Sequence, residues 1–131
     1  MNSAELAARL GKSVSTINNW RTIGILEPCA GGHGRGDNVW WEPRHVLIGE
    51  VARDLLGRGC PVGWVRDGCR LVARFAAWDD LVLMIVAGEV SVLPVEELAV
   101  WDWLSGGGVA WCVPLGYRER AWQRVDWTAD E

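Results

Sequence analysis

Two short runs of helical sequence, separated by one glycine-containing turn, constrain this chain more than any other feature. Over Ala4–Leu10, Leu6, Ala7 and Leu10 repeat at helical spacing, and Ser3 is placed to cap the helix. Gly11 ends it. Ser13 then caps a second helix that runs through about Thr22, with Val14, Ile17 and Trp20 on its inner face. Two short helices joined in this way describe a helix-turn-helix. Gly24 closes the second helix, and Ile25–Pro28 continues as extended chain.

Residues 29–38 read Cys-Ala-Gly-Gly-His-Gly-Arg-Gly-Asp-Asn, a glycine-rich loop without an interior hydrophobe. It lies between the short extended segments Ile25–Glu27 and Val39–Trp41, so a β-hairpin wing is expected. Glu42-Pro43 starts a third helix, proline being favoured in the first turn. Its apolar stripe is Leu47, Ile48, Val51, Ala52, Leu55 and Leu56, down to Gly57 and Gly59. A fourth helix is predicted from about Pro61 to Ala77, with Val65, Cys69, Val72 and Phe75 facing inward.

The remainder changes character. Leu81–Ala87 and Val90–Leu93 read as strands around a Gly88-Glu89 turn. Pro94 opens a helix through Leu104, Ser105–Gly108 breaks it, and Val109–Val113 forms another strand. Tyr117–Trp127 reads equally as helix or strand. The fold class expected is α+β: an N-terminal winged helix-turn-helix over residues 1–78, then a small α/β part with a short sheet over 79–131.

Charge divides at the same boundary. Residues 1–78 hold ten Lys and Arg against seven Asp and Glu, whereas 79–131 hold three against ten, which together give the net charge of −4. A basic face on one part and an acidic companion on the other are implied, and phosphate binding needs local positive potential rather than a basic total. Half of the 131 residues are apolar and 23% are charged, as in a packed globular protein. No apolar run reaches the roughly 18 residues of a membrane span. Met1–Glu5 has neither a basic nor an apolar leader region, so a cytoplasmic protein is expected.

Cys29, Cys60, Cys69 and Cys112 are irregularly spaced and read as small reduced hydrophobes. Cys29, His33 and His45 match no zinc spacing closely, and no metal or cofactor is expected. Enzymatic motifs are lacking: Gly31–Gly36 has neither the preceding strand nor the following G-K-[ST] of a phosphate-binding loop, and no nucleophile sits in an elbow or triad pattern. The chain reads as a binding protein, not an enzyme.

With Val14, Ile17 and Trp20 committed inward, the second helix exposes Ser15, Thr16, Asn18 and Asn19. Asn pairs bidentately with adenine, and Ser and Thr serve bases or phosphates. Lys12 in the turn, Arg21 at the helix end, Arg35 at the wing tip and Arg44 at the start of the third helix are the phosphate-binding candidates.

The stretch from Ala4 to about Val72 resembles the DNA-binding domain of the MerR family and its excisionase-like relatives. Glu5-Leu6-Ala7, Gly11–Ile17, Trp20-Arg21 and Gly24-Ile25-Leu26 carry the resemblance. The glycine-arginine wing and Leu55, Gly57 and Gly59-Cys60-Pro61-Val62 extend it. It implies a dimer that distorts promoter DNA, with the second helix in the major groove and the wing beside it. Asn18 and Asn19 stand where that family carries basic and tyrosine residues. Gly68 and Trp78-Asp79-Asp80 interrupt the place of its long dimerisation helix.

Six of the ten tryptophans, Trp78, Trp101, Trp103, Trp111, Trp122 and Trp127, lie in or beside the acidic part. Trp101 and Trp103, about 200° apart on a helix, cannot both face inward, so one is a candidate partner contact. The expectation is a sequence-specific regulator that binds double-stranded DNA and forms a homodimer through its C-terminal part. An excisionase-like architectural factor is one alternative. A protein-interaction module that has lost DNA binding is another.

Overall fold

Local capping chemistry sets the first two helices. The computed structural model describes residues 1–28, 39–100 and 110–116. Helix α1 spans Ser3–Leu10 and helix α2 spans Val14–Ile23. Asn2, rather than Ser3, caps α1: its side chain accepts from the Glu5 N–H at 2.9 Å, and the Glu5 carboxylate accepts from the Asn2 N–H at 3.4 Å. This reciprocal box satisfies two otherwise orphan donors. The Ser3 hydroxyl instead accepts from the Trp41 indole N–H at 2.9 Å, which ties α1 to the chain ahead of the third helix. Ser13 caps α2 as expected, accepting from the Thr16 N–H at 3.1 Å. Gly11 and Gly24 end the two helices in the left-handed region, at φ 66° and 88°.

Helix α3 spans Arg44–Gly57 and helix α4 spans Val62–Ala73. The stripe on α3 is buried from Leu47 to Leu55, and Leu56 is partly buried. Helix α4 stops short of Ala77, and side chains from outside it take carbonyls at and just beyond its end. The Trp78 indole donates to the Val72 carbonyl at 2.9 Å, and Arg44 donates to the Ala73 and Phe75 carbonyls, each at 2.9 Å. Phe75 therefore packs from an irregular segment, partly buried, rather than from a helix face.

Three antiparallel strands follow: β1 (Leu81–Val86), β2 (Glu89–Pro94) and β3 (Ala110–Pro114), in the order β2-β1-β3. The β1–β2 turn is Ala87-Gly88, both in the left-handed region as a two-residue hairpin requires. Pro94 closes β2 instead of opening an α-helix, and a 3-10 helix occupies Val95–Val100. The expected continuation to Leu104 and the segment Tyr117–Trp127 lie outside the described residues.

The sheet packs on α4 through Leu83 and Ile85. Gly68 makes this approach possible, since a Cβ there would lie 3.3 Å from a Leu83 methyl and 3.4 Å from an Ile85 methyl. Trp78, Leu83, Ile85, Val113 and Leu115 belong to the same buried cluster as Leu6, Trp20 and Leu47, so the core is continuous across residue 78. Val82 and Met84, on the opposite face of β1, are also buried. The architecture is α+β, with four N-terminal α-helices and a C-terminal sheet among the described residues. No helix among them is long and apolar enough to cross a membrane.

Candidate nucleic-acid interface

Helix α2 is held by its neighbours on one side only. Ile17 and Trp20 are buried against α1 and the following chain, where Ile25 and Leu26 continue the apolar stripe. Val14 is not part of it. It is 42% exposed, a correction to the inward position expected from spacing. The stripe runs forward from Ile17 to Ile25 rather than back toward the cap, so the first residue of the helix lies outside the buried core.

Val14, Ser15, Asn18, Asn19 and Thr22 are all exposed. Their spacing, i, i+1, i+4, i+5 and i+8, places them on one face. It carries no charged side chain. Thr16 is half-buried beside it, its hydroxyl 3.0 Å from the Ser13 hydroxyl at the cap. Thr22 donates its hydroxyl to the Asn18 carbonyl at 2.9 Å, which leaves the two Asn side chains as the exposed amides of the face. Val14 and Thr22 were missed by sequence reasoning: Val14 was committed to the core, and Thr22 lay where the helix was expected to end.

Cations flank this face. Lys12 is exposed in the Gly11–Ser13 turn, and Arg21 is half-buried in the last turn of α2. Arg44 is placed elsewhere. Besides its two carbonyl bonds, its guanidinium lies over the Trp78 ring, 5.2 Å from the centroid, so it fastens the start of α3 to the end of α4. Arg35 and the expected wing lie outside the described residues, as do Cys29, His33, Trp101 and Trp103. Trp111, in contrast, is half-buried on β3 and meets Trp64 of α4 edge-on at 5.8 Å.

His45 serves the scaffold behind the interface. Its Nδ1 accepts from the Glu42 N–H at 3.0 Å, so Nε2 carries the proton and donates to the Glu27 carbonyl at 2.8 Å. Burial lowers its pKa, against the opposing pull of those backbone contacts. The neutral ring thus fixes the Ile25–Glu27 segment, and with it the exit of α2, to the start of α3. Cys60 and Cys69 are buried thiols whose pKa values burial raises, that of Cys69 to about 12, and Cys112 is exposed on β3. Among the described residues no group of three His, Cys, Asp or Glu side chains gathers to hold a metal ion.

Comparison with protein-family models and with curated proteins finds no match to this chain.

Proposed function

We propose that the chain binds double-stranded DNA through α2 and acts as a sequence-specific regulator without chemistry of its own. One observation carries the reading: a helix capped at both ends and packed on one side presents a continuous face of Val, Ser, Asn and Thr with no carboxylate on it. Such a face suits a major groove. Asn18 and Asn19 offer paired donors and acceptors to adenine, Ser15 offers a hydroxyl, and Val14 offers an apolar contact for a thymine methyl. Lys12 and Arg21 would grip flanking phosphates and set the register.

The test is a polarisation titration against pooled genomic duplexes at about 50 and 200 mM salt, followed by sequencing of the retained fragments. Selective binding that weakens steeply with salt is expected. Asn18→Ala with Asn19→Ala should lower affinity for a selected fragment by about 10-fold or more, with little change on random duplex. Lys12→Gln and Arg21→Gln should each weaken both and reduce the salt slope by about 1. Absence of duplex binding at the lower salt overturns the reading.

A further inference from the structure

Between the Gly24–Pro28 segment and α4 lies an open cleft of about 600 Å³, within the usual range for small-molecule sites. Its floor is apolar, made by Ile48 and Cys69, whose thiol donates to the Ile48 carbonyl across 3.9 Å. Its rim is cationic on the α4 side. Arg70 and Arg74 are one helical turn apart, and both are exposed. Arg70 uses its Nε–H on the Gly24 carbonyl at 3.3 Å. Neither arginine has a carboxylate partner among the described residues. Arg44, also on the lining, adds a third fixed positive charge.

We infer that this cleft binds a small organic monoanion, a carboxylate on an apolar body, with its head between Arg70 and Arg74. Two planar guanidinium groups match a carboxylate's geometry, and the apolar floor takes the rest of the molecule. Glu27 and Glu42, also on the lining, disfavour a second negative charge. Binding is non-covalent, because the Cys69 thiol at the floor stays protonated, its pKa pushed up to about 12. The site lies on the joint that fixes the exit of α2, since Gly24 accepts from Arg70 and Glu27 accepts from His45.

Titration calorimetry of the whole chain without DNA, using octanoate and 1-naphthoate with octan-1-ol as the uncharged control, tests this apart from any DNA binding. One saturable site is expected for a carboxylate, at least about 10-fold tighter than for the alcohol. Arg70→Gln with Arg74→Gln should weaken carboxylate binding by about 10-fold or more while leaving the alcohol unchanged. Should that variant melt early, Glu27→Gln keeps the test sharp, because removal of a wall charge should tighten the carboxylate several-fold. The inference is overturned by no saturable carboxylate binding up to about 10 mM, by equal affinity for octanol, or by an unchanged affinity in the double variant.

Discussion

At the scale of single residues, His45 shows how a titratable group can be structural. Its ring is buried at 7% exposure, accepts at one nitrogen and donates at the other, which only the neutral form can do. The folded chain holds its pKa below 6.5, whereas the unfolded chain takes up a proton near that value. The unfolded state therefore binds more protons as the medium becomes acidic. The contribution is complete above about pH 6.5 and declines as pH falls toward the folded pKa. Urea midpoints measured between pH 7.5 and pH 5 should fall with acid, and His45→Gln should flatten that dependence. A profile equally steep in the variant would assign the effect to other groups. Sequence alone offered His45 as a distant metal-ligand candidate, because its partners are backbone atoms of Glu27 and Glu42, which no residue pattern advertises.

At the scale of elements, the Ser13 cap and the glycine stops were the most legible features, since they act through neighbours within a turn of chain, whereas the cap of α1 is Asn2 rather than the expected Ser3. Gly11, Ser13 and Gly24 hold the positions their chemistry demands. The end of α4 was not legible, since Arg44 and Trp78 meet it from outside the helix. The exposure of Val14 was hidden for a related reason: helical spacing defines a stripe, but only the partner helix decides where the stripe begins. Gly24 joins both kinds of constraint. Its φ of 88° is strained for any side chain, and a Cβ there would run into the Arg70 guanidinium. Gly24→Ala should cost about 1 kcal/mol or somewhat more, read as a lowered urea midpoint at unchanged slope. Arg70→Ala in the same background should recover only the part due to the collision.

Across the whole molecule, the helices and the sheet share one core. The sequence divides at residue 78 in charge and in period, yet Trp78 donates into α4 and Leu83 and Ile85 rest on Gly68. The α+β class and the three strands were readable from local pattern. The packing of the sheet on α4 was not, because the space it uses is the absence of a side chain at Gly68. One cooperative unfolding transition is expected, with far-ultraviolet and tryptophan signals coincident. Gly68→Leu should pry the sheet from α4 and destabilise by about 1–3 kcal/mol. Two separable transitions in the unmodified chain would contradict a shared core.

The place of β1 has a consequence for the life of the chain before it is folded. Leu-Val-Leu-Met-Ile-Val is six apolar residues without a charge, a composition prone to cross-β stacking if left unpaired. Here it is the middle strand, hydrogen-bonded on both sides. Its hairpin partner β2 follows within a two-residue turn, but β3 reaches it only after a further stretch of synthesis. During that interval one edge of this apolar segment is unpaired, flanked in sequence by Asp79-Asp80 before it and Glu89 after it. Those three acids stand where gatekeepers of a nascent chain would, and their replacement by apolar residues is expected to appear in yield and aggregation before it appears in any property of the folded protein.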